Sequence, residues 1–338
     1  MRILPIFIPH AGCAEACVFC SQTRTSAVSG MPDPEETRNL IEQSLVAGPI
    51  DQVAFYGGSF TALPSDEIAA WLGLVQPYIK RGVVGGIRLS TRPDALDKTM
   101  ILQLKSASVT TIELGCQSFS DKVLDSSGRG HSAADSVRAA VMIRTGGIQL
   151  GLQLMPGLPG SSRSEALSSL DQALALAPDF LRIYPTVVLA GTALANLWRQ
   201  GGYTPLSLEE AVSICTEIAL ICRQADVPII RFGLQSNSGL DSEAVLAGPY
   251  HPAFGQLVRS RLWLSALESL ANERFTSVSV HPHDFSDAIG HRRCNLERLQ
   301  QRGNNFSIEC DSQVEKGFIA VGCQARPVAE VSRLNFRR

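Results

Sequence analysis

The sequence predicts an α/β protein built around a parallel sheet. Two observations lead to this prediction. Short runs rich in β-branched residues alternate with longer segments of helical periodicity, and each run is followed by a polar or glycine-containing loop. This alternation is typical of successive βα units, and it continues over about the first two thirds of the chain.

The individual elements follow from this pattern. Six strands are predicted, at Ile3–Ile8, Gln52–Tyr56, Gly86–Leu89, Thr111–Leu114, Gln149–Leu154 and Phe180–Tyr184. Helices are predicted to begin after Pro34, Pro64, Pro93, Ser132, Ser162 and Gly191, where Pro, Ser or Asp favours a helix start. A helix over Leu208–Ala225 and an apolar run at Val227–Ile230 would extend the repeat by one unit.

After about Gly239 the pattern becomes irregular. The predicted elements there are a helix at Phe254–Ala271, a strand at Ser277–Val280, a polar helix near Asn295–Gln301 and short strands near Ser307–Cys310 and Phe318–Val321. We interpret this region as a small C-terminal α+β extension. The predicted domains are therefore residues 1–238 and residues 239–338.

Composition excludes several classes of protein. With 338 residues, 45% hydrophobic and 18% charged, the chain is typical of a globular protein. A net charge of -2 argues against a globally basic nucleic-acid coat or a polybasic membrane-surface protein. The apolar runs are far shorter than the roughly 20 residues that cross a bilayer, and no secretion signal is visible. We expect a cytoplasmic protein without a membrane partner.

A tight cysteine cluster follows the first strand. Cys13, Cys17 and Cys20 are spaced C-x3-C-x2-C, whereas a closed zinc site wants four ligands. Three thiolates on a cubane iron–sulfur cluster leave one iron open for a further ligand, which indicates a reactive site. The alternatives are buried small hydrophobes, or zinc ligands completed by His10 or a distant cysteine. Of the remaining cysteines, Cys215 and Cys222 are interpreted as core residues. A second cluster on Cys294, Cys310 and Cys323 is an alternative, although their long spacings match no compact ligand pattern.

This triplet, with the aromatic Phe19 before its last cysteine, resembles the signature of the radical S-adenosylmethionine (SAM) superfamily. The resemblance implies a partial (β/α)6 TIM-type barrel and a 4Fe-4S cluster on Cys13, Cys17 and Cys20. It also implies SAM bound to the open iron, and an electron donor such as a flavodoxin or ferredoxin. Within the superfamily, the chain is most similar to the Elongator catalytic-subunit type and the oxygen-independent coproporphyrinogen III oxidase type.

The resemblance also assigns SAM contacts. The segment after the second strand is similar to the superfamily's second motif, in which the Gly57, Gly58 and Ser59 positions accept the SAM ammonium. Gln117 is assigned to the ribose or methionine moiety, and Arg129 to the SAM carboxylate. Further contacts are implied for Phe19, Ser90, Arg92, Glu113, Gln153 and Met155. Ser90 stands where relatives place a Glu that contacts the ribose. For Arg92, Glu113 and Arg129, the alternative to a SAM contact is a solvated ion pair on the barrel rim.

Two departures limit the transfer of a reaction from these relatives. Elongator-type proteins have a longer spacing between their first two cluster cysteines and a C-terminal acetyltransferase domain, for which 338 residues leave no room. The oxidases have a further cysteine two residues past the triplet, where this chain has Gln22. Neither acetyl transfer nor porphyrin decarboxylation is therefore predicted.

The predicted reaction is reductive cleavage of SAM to a 5′-deoxyadenosyl radical, followed by hydrogen abstraction from a substrate. Arg182 and Tyr184 are expected to face the substrate, with Tyr184 and His131 as candidate catalytic acid–base residues. An RNA base is the first substrate hypothesis, resting on a group of C-terminal arginines: Arg292, Arg293, Arg298, Arg302, Arg326, Arg333, Arg337 and Arg338. The alternatives are a small molecule or peptide substrate, and a non-catalytic iron–sulfur or zinc protein.

Overall fold

The computed structural model describes residues 1–13, 17–240, 243–270, 276–304, 306–322 and 324–336. The chain forms two compact units, Met1–Leu206 with Leu234–Tyr250, and Ser207–Gly233 with His251–Arg338. This grouping places Ser207–Gly233 with the C-terminal residues. The predicted boundary between residues 238 and 239 stays a prediction.

The secondary structure alternates along the chain as the sequence predicts. The strands are β1 (Ile3–Phe7), β2 (Gln52–Tyr56), β3 (Ile87–Thr91), β4 (Val109–Gln117), β5 (Gln149–Leu154), β6 (Phe180–Ile183), β7 (Val188–Leu189), β8 (Ile229–Phe232), β9 (Val245–Ala247), β10 (Ser277–Val280), β11 (Ser307–Cys310), β12 (Phe318–Val321) and β13 (Gln324–Pro327). The α-helices are α1 (Gln22–Ser26), α2 (Pro34–Leu45), α3 (Ser65–Lys80), α4 (Lys98–Ser106), α5 (Asp121–Ser126), α6 (Ala133–Thr145), α7 (Arg163–Ala175), α8 (Ala193–Arg199), α9 (Leu208–Gln224), α10 (Phe254–Leu270), α11 (Phe285–Ile289), α12 (Cys294–Gln301) and α13 (Val328–Phe336).

The first unit contains a parallel sheet in which β1 to β6 pair in chain order. The six predicted strands are confirmed, although β3 and β4 run further than predicted, to Thr91 and Gln117. Five of the six predicted helix starts are also confirmed, whereas Pro93–Ala95 forms a 3-10 turn and α4 begins at Lys98, where Asp97 caps it. Asp33 and Ser162, for example, accept hydrogen bonds from first-turn amides of α2 and α7, as N-cap residues do.

The two faces of this sheet differ in polarity. Paired residues on neighbouring strands point to the same side, and successive residues point to opposite sides. One face carries fully buried apolar side chains, among them Phe55, Leu89, Ile112, Leu152 and Leu181. The opposite face carries polar side chains: Arg88, Glu113, Gln153 and Arg182.

The sheet curls toward its polar face. Arg182 on β6 donates from Nη2 to the Tyr56 hydroxyl on β2 at 3.2 Å. These strands are four positions apart, which in a flat sheet would separate them by about 19 Å at about 4.8 Å per pair. The polar face is therefore the inside of a partial barrel, as the resemblance implies.

The second unit is α+β, as predicted for the C-terminal region. Its four-stranded sheet has the order β11-β10-β12-β13, with β10 and β11 parallel and the other pairs antiparallel. Helix α10 packs with α9 and α13. The core includes Trp263, Leu267 and Val280. Strand β13 and helix α13 were absent from the sequence prediction. Within the described residues, no helix has the length and apolar character needed to span a bilayer.

Candidate active site

The cysteine loop lies against the loop that follows β2. The Ser59 amide donates to the Ala11 carbonyl at 2.8 Å. A Cβ at Gly58 would lie 2.5 Å from the same carbonyl oxygen, and a Cβ at Gly12, whose φ is +69°, would lie 2.3 Å from the Ser59 carbonyl. Any side chain at either glycine would push the two loops apart. These glycines therefore permit the close approach that positions the cysteines.

The polar groups of the second loop are engaged within the protein. The Gly57 carbonyl accepts from the His10 amide at 2.9 Å. The buried Ser59 hydroxyl accepts from the Arg92 amide and contacts the Thr91 hydroxyl, both at 3.1 Å. These bonds tie the loop to β1 and to the end of β3. The SAM contacts of Gly57, Gly58 and Ser59 stay predictions.

Cys13, Cys17 and Cys20 are all half-buried free thiols. Burial, together with the neighbouring Cys17 and Cys13, raises the pKa of Cys20 to about 12. Burial also raises the pKa of Cys13, while the positive charges of Arg92 and Arg129 oppose the shift. Arg129 Nη1 donates to Cys17 Sγ at 3.2 Å. Burial therefore disfavours the free thiolates of Cys13 and Cys20, and a bound metal would favour the deprotonated form of both.

The donor set, three half-buried thiols of one loop, has the chemistry that an iron–sulfur cluster requires. Within the described residues, no three His, Cys, Asp or Glu side chains converge on a position for one metal ion. A closed zinc site requires four donors around one point, at about 2.0 to 2.3 Å. In an iron–sulfur cluster each thiolate bonds a different iron of one compact cluster.

The end of β4 is irregular where the sequence predicts SAM contacts. The pairing with β5 shifts between Leu114 and Gln117, and Gln117 has a φ of +67°, which is rare for a residue with a side chain. Gln117 Oε1 accepts from Gln153 Nε2 at 3.0 Å, and the Gln117 carbonyl accepts from the Met155 amide at 2.8 Å. Such backbone strain concentrates at functional sites. The structure thus brings three predicted SAM contacts together.

Arg129 joins this strand end to the cysteine loop. Besides its bond to Cys17, it donates from Nη2 to the Gly115 carbonyl at 2.6 Å. Its Nε is buried without a partner among the described residues, so the guanidinium retains a free donor. Arg92 pairs with Asp94 at 3.0 Å through Nη2, and its Nε also has no described partner. The carboxylate contact of Arg129 stays a prediction.

Glu113 has a different environment from the predicted one. Its Oε1 accepts from Arg88 Nη1 at 2.9 Å and from the Tyr56 hydroxyl at 3.0 Å, and its Oε2 lies 2.6 Å from Arg182 Nε. The Glu113 side chain is 7% exposed. The alternative of a solvated ion pair on the rim is wrong for Glu113, because the pairs are buried. A direct SAM contact by Glu113 receives no support, since both oxygens are engaged.

The remaining predicted residues divide between the site and the core. The Tyr184 hydroxyl accepts from Arg182 Nη1 at 3.0 Å on the inner face, which suits a substrate-side residue. His131 is 4% exposed and its Nε2 lies 3.2 Å from the Cys116 carbonyl. Burial and the nearby Arg129 lower the pKa of His131 to about 4. His131 is therefore a neutral, enclosed side chain, and its predicted catalytic role receives no support.

Two other predicted contacts are less direct. Phe19 packs against the apolar cluster of Val188, Leu194 and Tyr203. The Ser90 hydroxyl is 3.4 Å from the Phe55 carbonyl. The SAM contacts of Phe19 and Ser90 stay predictions, and so does that of Met155.

Sequence reasoning missed Arg88 and Tyr56. Arg88 is 2% exposed, and its guanidinium lies 4.8 Å from the centre of the Phe180 ring. The only available signal was a charged residue between the apolar residues Ile87 and Leu89 of a predicted strand. A buried charge normally has a paired partner, but the sequence does not indicate which one.

Two family models match the chain. The model of the radical SAM superfamily matches residues 7–173, and that of the radical SAM C-terminal domain matches residues 178–263. Together they cover about three quarters of the chain.

Curated relatives include the tRNA uridine(34) acetyltransferase of Methanocaldococcus infernus, which is 33% identical over 129 residues, 37% of this chain and 24% of that protein. Elongator complex protein 3 of Homo sapiens is 28% identical over 247 residues, 63% of this chain and 45% of that protein. The chain thus spans less than half the length of either relative.

Two solved structures share the fold. The archaeal Methanocaldococcus infernus Elp3 with an N-terminal deletion aligns with a TM-score of 0.62 and 23% identity, covering 77% of this chain and 62% of that chain. Coproporphyrinogen III oxidase from Escherichia coli aligns with a TM-score of 0.51 and 19% identity, covering 66% of this chain and 53% of that chain.

Proposed function

The chain belongs to the radical SAM superfamily of enzymes, and on that premise we propose that it cleaves SAM reductively and abstracts a hydrogen atom from a substrate. The cofactors of these enzymes, a 4Fe-4S cluster and SAM, supply an electron and a 5′-deoxyadenosyl radical. The protein binds and orients these groups and excludes water from them.

The observation that supports this proposal best is the position of Arg129. Its guanidinium contacts Cys17 of the triplet and the Gly115 carbonyl at the end of β4. The same strand end carries Gln117, bonded to Gln153. The cysteine loop and these polar side chains therefore meet at the carboxyl edge of a parallel sheet, where barrel enzymes bind their ligands. We assign cluster binding to Cys13, Cys17 and Cys20, and SAM binding to Arg129, Gln117 and Gln153.

The inner face of the sheet is assigned to the substrate. Tyr184 lies there and is retained as the proposed acid–base residue, because it is half-buried and its hydroxyl is hydrogen-bonded to Arg182. An electron donor of the flavodoxin or ferredoxin type would reduce the cluster.

We propose a tRNA base as the substrate. One relative is named tRNA uridine(34) acetyltransferase and another Elongator complex protein 3, although this chain spans less than half the length of each. Of the C-terminal arginines, Arg302 pairs with Glu268 at 2.6 Å, whereas Arg292 and Arg293 lie in a short turn before α12. Arg337 and Arg338 lie outside the described residues, as does the side chain of Arg333. A small molecule or peptide is the alternative substrate.

Anaerobic reconstitution tests the SAM chemistry. Wild-type protein, loaded with iron and sulfide and then reduced with SAM, should form 5′-deoxyadenosine. Cys17→Ala should lose this activity by at least about a hundredfold, since a cluster ligand is removed. Cys310→Ala is the matched control, because Cys310 is an exposed thiol on β11. If wild type forms no 5′-deoxyadenosine above the amount found with Cys17→Ala, the proposal is refuted and a non-catalytic metal protein is favoured.

The RNA assignment has a separate test, filter binding of tRNA at two salt concentrations. Retention at low salt that falls steeply at high salt is expected for phosphate contacts. If tRNA is not retained at low salt, the substrate is the small molecule or peptide.

A further inference from the structure

The polar inner face carries an unbalanced charge. Arg88 and Arg182 both pair with Glu113, at 2.9 Å and 2.6 Å. No second carboxylate of the described residues pairs with either arginine. Two guanidinium groups therefore share one carboxylate, which leaves one positive charge in a largely buried place. A buried surplus charge is costly unless a counter-charge neutralises it.

Arg88 is enclosed by the protein. Its Nε donates to Gln52 Oε1 at 2.8 Å, its Nη1 donates to Glu113, and its guanidinium lies over the Phe180 ring. With 2% exposure, Arg88 has no room for an additional ligand. The surplus charge is therefore available at Arg182, whose side chain is 16% exposed and which lies nearer the carboxyl edge of the sheet.

Two hydrogen-bond donors remain unused beside that charge. The Tyr56 hydroxyl donates to Glu113, but the Tyr184 hydroxyl accepts from Arg182 and has no acceptor for its own hydrogen among the described residues. The second N–H of Arg182 Nη1 is also without an acceptor there, since this nitrogen bonds only to Tyr184. The Arg182 nitrogen and the Tyr184 oxygen lie 3.0 Å apart. A cation with two adjacent free donors is suited to bind the oxygens of a carboxylate or phosphate.

We infer that Arg182 and Tyr184 bind an anionic group of the substrate, a carboxylate or a phosphate, inside the partial barrel. Glu113 and Arg88 are positioning residues that hold the Arg182 guanidinium. This inference rests on the proposed function and narrows its substrate to an anionic class. SAM also has a carboxylate, but that group is assigned to Arg129, which contacts the cysteine loop.

Anion binding can be measured by calorimetry on the anaerobically reconstituted protein. The probes are inorganic phosphate and acetate, at constant ionic strength, with glycerol as the neutral control. Arg182→Met should weaken binding of the preferred anion by about tenfold or more, because it removes a charged hydrogen-bond donor. Tyr184→Phe, which keeps the charge, should weaken it by about two- to tenfold. Arg81→Met is the matched control, since Arg81 is an exposed arginine of the same unit.

The probe that binds with the higher affinity identifies the anionic group, phosphate or carboxylate. Unchanged affinity in Arg182→Met would overturn the inference, and so would displacement of the anion by saturating SAM, because the anion would then occupy the SAM carboxylate position. Arg182→Met is expected to fold, since the Arg88–Glu113 pair remains balanced. If it does not fold, Tyr184→Phe alone decides, and full wild-type affinity in that variant overturns the inference.

The calorimetry involves no turnover, so it is independent of SAM cleavage. Absence of 5′-deoxyadenosine would refute the proposed reaction while leaving the anion result intact.

Discussion

The two faces of the first unit's sheet are buried by different means. The outer face is covered by apolar contacts such as those of Leu152 and Ile112, both at most 1% exposed. The inner face carries Arg88, Glu113 and Arg182, which are buried as paired charges. The outer face can accept any apolar side chain of similar volume, whereas the inner face depends on each partner being present.

Burial acts in the same direction on the pKa of Arg182 and of His131, but the neighbouring groups give the two residues opposite net shifts. Burial alone would lower the pKa of Arg182, but Tyr184, Glu113 and Tyr56 raise it further than burial lowers it. For His131, burial and Arg129 lower the pKa by more than the Cys116 carbonyl, Asp94 and Asp135 raise it, so its pKa is about 4. Charge therefore persists inside the barrel because the network supplies opposing charge and hydrogen bonds.

The largest expected effect is on the inner face. Glu113→Gln leaves Arg88 and Arg182 buried without a carboxylate, so it should lower the free energy of unfolding by about 3 to 5 kcal/mol. Urea denaturation measures the change. Glu42→Gln, which removes the exposed pair with Arg81, should cost at most about 1 kcal/mol. Similar losses in the two variants would mean that the inner network is no more critical than a surface pair.

A comparable change on the outer face separates stability from binding. Leu152→Ala removes a side chain that is 1% exposed and should cost about 2 to 5 kcal/mol through lost burial and a cavity. The affinity for phosphate should stay at the wild-type value, because Leu152 points away from the inner face. Urea denaturation and calorimetry on the same preparation measure both quantities. Loss of phosphate affinity together with stability would contradict the division into two faces.

The smallest expected effect concerns pH. The folded-state pKa of His131, about 4, lies below its ordinary value of 6.5, so the unfolded chain binds more protons between these values. This contribution to stability is fully present above pH 6.5 and falls as the pH drops toward 4, by at most about 3 kcal/mol. His131→Gln should therefore lose less stability than wild type between pH 7 and about pH 4.5.

His283→Gln provides the control for this measurement, because His283 is exposed. Parallel pH profiles of wild type and His131→Gln would show that His131 is protonated freely in the folded protein.

Much of the fold could be predicted from local pattern. Strands β2, β5, β10, β11 and β12 occur at the predicted residues. Helix caps such as Ser162 act within four residues of themselves, so the sequence shows them directly. The cysteine triplet is equally local, and so is the glycine pair after β2.

The candidate site was only partly predictable. Gln117, Gln153 and Arg129 were named from the resemblance and do meet at one edge of the sheet. His131 was named as well, but it is enclosed beside the Cys116 carbonyl. A sequence shows that a histidine follows a strand, and it does not show which way the ring points.

The sequence by itself determined the alternation of strands and helices and the spacing of the three thiols, because hydrophobic periodicity and motif spacing are local properties. Only the tertiary structure decided that Glu113 lies between Arg88 and Arg182, residues that are 25 and 69 positions away along the chain. Strand order, register and curl bring these charges together, and those depend on the packing of the whole unit. The same curl leaves Arg182 and Tyr184 with free donors inside the barrel.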